Sequence, residues 1–325
     1  MRILSLDGGG YLGLATAAFF EETERHFNST CHDKFDLFCG TSTGAIIALA
    51  FASGLRGKEI CDLYKSFGPK VFHNPVPGLR ILRMALGLVT SQYGNAALRT
   101  ALKDYFGDTT LGDLRRKGKF VLIPAFSITS GKPRVFKTDH NAHLTRDDGY
   151  LVRDVALASS AAPVFLPLVE VRSPTTGDRE RYCDGGMFAN HPALLGYTEA
   201  IYHLGAEPSQ IQILSVSTPR TDLAEYRSAV GRIPKYLLSR GLFIWRTKVV
   251  QTMIDSTSSI TDEILRRIIA SPAQAGLTYE RITFPKPPGV GLDIATNSAT
   301  ETLCSIGYEL ARQNTTRLRL RAFFE

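Results

Sequence analysis

The sequence predicts an α/β fold, a central and mostly parallel sheet flanked by helices. Two observations predict it. Short apolar runs alternate with helix-periodic segments from the N-terminus onward, and glycine-rich turns separate them. The chain has 325 residues, 44% hydrophobic and 21% charged, enough to bury such a sheet on both faces.

The elements follow in order. Residues 3–6 form a short apolar strand that runs into Asp7-Gly8-Gly9-Gly10, and a helical pattern covers about 14–27. Residues 35–39 are the second strand. After Gly40-Thr41-Ser42-Thr43-Gly44, residues 45–51 form an apolar helix. Residues 120–123 are a strong strand and 135–138 a weaker one. The small, apolar stretch 156–162 is expected to be a helix packed close to its neighbours. Residues 180–183 lead into Asp184-Gly185-Gly186, and 211–216 form another core strand. The remainder, about 220–325, is expected to be helical, broken by the proline-rich loop 285–289. No repeat, low-complexity tract or linker divides the chain, so a single domain over 1–325 is expected.

No segment reaches the 18 or so consecutive apolar residues that a membrane span needs. The N-terminal apolar run is too short for a signal peptide, because Asp7 and three glycines interrupt it. Five cysteines, with no C-x-x-C pair, read as free thiols in a reducing compartment, so a cytoplasmic location is expected. The net charge is +7, and residues 220–325 hold 15 Lys and Arg against 10 Asp and Glu. A basic surface suits an anionic partner such as phospholipid or nucleotide.

Ser42 is the candidate nucleophile. A serine hydroxyl must be presented on a tight turn, near a base and near oxyanion donors. Gly40 and Gly44 let strand and helix approach, and the helix after Ser42 aims its N–H groups at the site. A glycine-rich turn without chemistry is the alternative. The loop Asp7 to Gly13 leaves backbone N–H groups bare beside a helix N-terminus, which makes an anion cradle. Gly8, Gly10 and Gly13 also fit G-x-G-x-x-G, but the second strand lacks the terminal acidic residue of a dinucleotide site. An oxyanion hole for Ser42 accounts for both loops, because neighbouring parallel strands end side by side. A non-catalytic nucleotide-binding module and a self-assembling protein with a vestigial site are the competing classes. Asp184 precedes two glycines at a strand end and is the candidate base. His191, the best placed of seven histidines, would make a Ser-His-Asp esterase instead.

Together these residues resemble the patatin-like phospholipases, which carry a D-G-G-G-x-R-G loop, a G-x-S-x-G elbow and a later D-G-G or D-G-A. Here they are Asp7 to Gly13, Gly40 to Gly44 and Asp184 to Gly186. Tyr93-Gly94-Asn95, Ile123-Pro124-Ala125-Phe126, Ala158 to Pro163 and Leu292-Asp293-Ile294-Ala295 look like further landmarks, so the likeness covers nearly the whole chain. The resemblance implies a three-layer sandwich, a Ser42–Asp184 dyad and an oxyanion hole from the N–H groups of Gly8, Gly9 and Gly10. It implies hydrolysis of fatty-acyl esters through an acyl-enzyme, with no metal or organic cofactor. One position departs: the family's arginine is Leu12. The chain is also similar to bacterial patatin-like effectors of anti-phage signalling, which a cyclic dinucleotide switches on against membrane phospholipid. That implies action at the inner membrane surface, on a lipid partner and not a nucleic acid polymer, with a homo-oligomer as one form of the protein.

Two stretches are candidate contact regions. Residues 226–254 carry six basic residues, Arg240 and Arg246 among them, interleaved with aromatics and free of acids. Arginine beside aromatics can hold an anionic ligand, and an ordinary solvated helix face has the same composition. Residues 79–89 are apolar, with Arg80 and Arg83 on one side, and fit a buried helix, with a lid or membrane-contact helix as the alternative.

Overall fold

The computed structural model describes residues 1–72, 91–141, 146–219, 242–285 and 289–325, with the backbone alone over 242–249. The stretch 79–89, Arg240 and the side chain of Arg246 lie outside the described residues.

Eight strands make one mixed sheet: β1 (Arg2–Leu6), β2 (Leu37–Gly40), β3 (Phe120–Ser127), β4 (Lys132–Lys137), β5 (Val169–Arg172), β6 (Arg179–Asp184), β7 (Gln212–Val216) and β8 (Thr278–Ile282). Their order is β5-β6-β3-β2-β1-β7-β8, with β4 on the free edge of β3. β3, β2, β1, β7 and β8 run parallel, while β4 and β6 pair with β3 antiparallel. The expectation of a wholly helical segment beyond 220 is therefore corrected by β8. Glu280 and Arg281 hide its strand pattern, because Arg281 is buried as half of an ion pair.

The strands alternate between two apolar layers, as a period of two requires. Leu4, Leu6, Phe38, Val121 and Ile123 face one layer. It is closed by α1 (Gly13–Phe27), α2 (Thr43–Ser53), α3 (Gly57–Val71), α4 (Ala96–Phe106) and α5 (Val152–Ser159). Ile3, Leu37, Cys39, Leu122 and Ile213 face the other, against α6 (Ala193–Tyr202) and α7 (Leu242–Ile269). Near the C-terminus, α8 (Asn297–Arg312) packs on α1, and α9 (Asn314–Phe324) buries Phe323 and Phe324 beside Phe35. The three layers match the expected sandwich. All five cysteines are buried free thiols, so Cys39 and Cys183 act as small core residues.

One arrangement in the sheet decides where the chemistry can sit. β2 pairs with the start of β3, Cys39 opposite Leu122. β6 pairs with its end, Asp184 opposite Ala125. β4 occupies the other edge of β3 along its length. β2 and β6 therefore share one edge of β3 and meet end to end, carboxyl end facing carboxyl end. Between them lies Pro124. Its carbonyl faces the gap, where the Ser159 hydroxyl donates to it at 2.6 Å. The N–H that proline lacks would have faced the same gap, where no strand would receive it.

Asp7, at the end of β1, reaches across β7 to Arg281 on β8. The guanidinium grips both carboxylate oxygens, Nη1 to Oδ1 at 2.8 Å, and both side chains are buried. Removing one partner of such a pair strands a buried charge. Arg281→Met is expected to destabilise the fold by about 3–5 kcal/mol, and Asp7→Asn combined with it by less than the single change. Urea denaturation of the parent and the two variants checks this, and an unshifted midpoint in Arg281→Met contradicts it.

Candidate active site

Ser42 caps the N-terminus of α2 in a left-handed conformation, φ 55° and ψ −123°. Side chains other than glycine rarely adopt it, and such strain costs on the order of 1–3 kcal/mol. Close packing holds it there. The Gly44 position abuts the end of β1, where a Cβ would collide with the carbonyl oxygen of Leu6. The Ser42 N–H donates to Ser159 Oγ at 3.0 Å, and Thr41 Oγ1 donates to the Ala189 carbonyl at 2.6 Å.

Asp184 comes to Ser42 from the opposite strand end. Its N–H is held by the Ala161 carbonyl at 3.0 Å, so the C-terminus of α5 clamps both residues. The Gly186 N–H donates to Asp184 Oδ1 at 2.7 Å. Burial pushes the Asp184 carboxyl up to about 6, against the nearby Ser42 hydroxyl and the Gly186 N–H, which pull it down. The group is thus a stronger base than an exposed aspartate, yet ionised at neutral pH.

His191 does not join them. Its Nε2 lies 2.7 Å from Ser215 Oγ and its Nδ1 3.4 Å from the Ser258 carbonyl. Arg281 Nη1 donates to that same Ser215 oxygen at 2.6 Å. Ser215 therefore donates to Nε2, and Nδ1 carries the ring proton. Burial, reinforced by the charge of Arg281, pushes the imidazole down to about 4. It is neutral, with both nitrogens engaged away from Ser42, so the Ser-His-Asp alternative is not supported.

The Asp7 to Gly13 loop does lie against Ser42, with one correction. The Gly8 N–H donates to the Asn190 carbonyl at 3.3 Å and the Gly8 carbonyl accepts from Thr218 Oγ1 at 2.8 Å, so Gly8 is occupied. Gly9 and Gly10 line the cavity over Ser42, and among the described residues their N–H groups have no acceptor. Among the described residues, two of these three N–H groups are thus left unbonded. Gly10 needs to be glycine because its φ is +57° and a Cβ would strike the Leu292 carbonyl. That carbonyl also accepts the Tyr11 N–H at 2.7 Å. Asp293 takes a hydrogen bond from Tyr93 at 2.9 Å. The landmark stretches around Tyr93 and Leu292 thus buttress the glycine loop. Leu12 is buried in the core under α1 and does not face the cavity.

The cavity over Ser42 measures about 270 Å³. Asp184, Gly9 and Gly10 form its polar end. Its walls are apolar, with Ile46, Phe67, Phe165, Leu166, Met187 and Met253 prominent. Sequence patterns did not single these residues out, because they come from five different segments. Met253 stands on α7, inside the basic stretch 226–254, so this stretch supplies cavity wall in addition to charge.

The comparisons agree with this geometry. A family model described as patatin-like phospholipase matches residues 4–197. A cGAMP-activated phospholipase from Pseudomonas aeruginosa is 32% identical over 96% of this chain and 88% of its own length. One from Vibrio cholerae is 30% identical over all of this chain and 94% of its own length. Patatin-like protein 2 of Arabidopsis thaliana is 27% identical over 98% of this chain and 85% of its own length.

The buried carboxyl has a consequence for stability. Its folded value of about 6 lies above the ordinary 3.8, so folding favours the protonated form. Its unfavourable contribution is absent below pH 4 and complete above the folded value. Asp184→Asn is therefore expected to be more stable than the parent at pH 8, by up to about 3 kcal/mol, and nearly equal to it at pH 4. Urea denaturation at the two values measures this, and a variant equally shifted at both contradicts it.

Proposed function

The chain belongs to the patatin-like phospholipases, and from that premise we propose that it hydrolyses fatty-acyl esters of membrane phospholipids through an acyl-enzyme on Ser42. The observation that carries the reading is Ser42, held at a strained backbone angle beside a desolvated carboxylate at the floor of an apolar cavity. Asp184 takes the hydroxyl proton as Oγ attacks the ester carbonyl. The N–H groups of Gly9 and Gly10 receive the oxyanion, with the N-terminus of α2 behind Ser42 adding to the positive field. The alcohol leaves with the proton from Asp184. Water then gives a proton to the same carboxylate and attacks the acyl-enzyme; the Ser42 Oγ–acyl bond breaks, Asp184 returns the proton to Oγ, and the fatty acid leaves.

The cavity walls suit an acyl chain, since they offer contact and almost no hydrogen-bonding competition. Beside the wall residues Phe165 and Leu166, Val164 and Leu168 stand 38% and 47% exposed. We read this rim as the part that touches the bilayer from the cytoplasmic side. No helix among the described residues is long and apolar enough to cross a membrane. The names of the bacterial relatives, cGAMP-activated phospholipases, support a cyclic dinucleotide as activator. The stretch with Arg240 and Arg246 is the part we assign to an anionic ligand.

Phospholipid vesicles assayed with and without cyclic dinucleotides test the reading. Ser42→Ala is expected to abolish fatty-acid release while folding normally, and retained turnover would sink the mechanism. Asp184→Asn should lose about 10³–10⁴-fold. The parent kcat/KM should rise with pH through about 6 and then level, because the protonated carboxyl cannot accept a proton. A profile still rising through pH 8 argues for a different base.

A further inference from the structure

The glycine loop is tied to helix α7 by a closed circuit of hydrogen bonds. From Gly8 it passes to the Asn190 carbonyl at 3.3 Å, and from Asn190 Nδ2 to Ser258 Oγ at 2.9 Å. From the Ser258 carbonyl it returns through His191 Nδ1 at 3.4 Å, His191 Nε2 to Ser215 at 2.7 Å, and Ser215 to Arg281 at 2.6 Å. Arg281 grips Asp7, the neighbour of Gly8. Asn190, His191, Ser215, Ser258 and Arg281 are all buried. Ser258 is the only side chain of α7 in this circuit. A buried serine in the middle of a helix is costly without a partner, and its partner here is the amide whose backbone carbonyl holds Gly8.

The same helix lines the acyl cavity one turn earlier, at Val250, Met253 and Ile254. A small polar cleft with room for about one water separates α7 from the back of the loop. Gln251, Asp255 and Ser258 line its α7 side, and Gly8, Gly9 and Thr218 the other.

We propose that Ser258 is a positioning residue, setting the two cavity-facing donors Gly9 and Gly10 through Asn190 and Gly8, so that turnover at Ser42 depends on where α7 sits. The inference rests on the reading of Ser42 as nucleophile and of Gly9 and Gly10 as oxyanion donors. A displaced α7 would carry Asn190 with it and move the loop relative to Ser42. Misplacement by an ångström is enough to cost about a hundredfold in rate, while cutting the Ser258–Asn190 bond replaces none of the α7 side chains that line the acyl cavity.

The test uses the full chain with a soluble short-chain acyl ester and with phosphatidylglycerol vesicles. Ser258→Ala is expected to lower kcat between about ten- and a hundredfold with KM within about twofold, and Ser258→Thr, which keeps the hydroxyl, to restore most of it. Asn190→Ala cuts the same link from the other side. The double variant should be no slower than the slower single one, which a pair of unrelated structural defects would not give. A folded Ser258→Ala with unchanged kcat overturns the inference, as does additive loss in the double variant. If Ser258→Ala does not fold, the Thr variant and Asn190→Ala decide: unchanged kcat in Asn190→Ala overturns it. Ser42→Ala measured alongside keeps the two readings apart. If Ser42→Ala is active, the proposed function falls; if it is dead and Ser258→Ala is normal, only this inference falls.

Discussion

The Asp7–Arg281 pair is the constraint on which the rest of the site depends. It closes the end of β1 onto β8 across β7, and it does so at the residue where the glycine loop begins. A buried ion pair contributes little net stability compared with apolar packing. What it provides is position. Both carboxylate oxygens of Asp7 are committed, so the first residue of the loop has one orientation, and the bare N–H groups that follow are aimed by it. Arg281 also fixes the proton on His191 through Ser215, which removes the one histidine that could have competed for Ser42.

Desolvation does two jobs in the same volume. It raises the basicity of Asp184, and it leaves the cavity walls free to take an apolar chain. Two carbonyls in the neighbourhood, Pro124 and Leu292, are each occupied by a donor. Of the other hydroxyls in the lining, Ser160 is spent on the Ala156 carbonyl and Thr43 on Tyr64, which leaves the side chains of Ser42 and Asp184 at the polar end.

The parts legible in the sequence were those carried by local pattern. β1, β2 and β7 are short apolar runs, and the turn at Ser42 is fixed by glycines two residues either side. What the sequence hid was carried by distance or by mixed composition. Arg281 looks like a surface cation in Tyr279-Glu280-Arg281, and nothing near it in the chain names its partner 274 residues away. β5 alternates Val169 and Val171 with exposed Glu170 and Arg172, too short a pattern to separate from a loop. The engagement of the Gly8 N–H was hidden as well, because the carbonyl that takes it belongs to Asn190, which no spacing rule connects to the loop. The landmarks at Tyr93 and Leu292 were visible as motifs, but their task of bracing Tyr11 and Gly10 exists only in three dimensions.

The shared edge of β3 works as a ruler. Cys39 and Asp184 are laid against it at Leu122 and Ala125, three residues apart, a span of roughly 10 Å for an extended chain. The spacing of Ser42 and Asp184 is thus copied from one uninterrupted strand and does not depend on the length of the loops that lead into and out of it. Those loops can lengthen or shorten over evolutionary time, and the pair keeps its dimension. A single insertion or deletion between Leu122 and Ala125 could not be absorbed in this way, since it would alter the gauge itself.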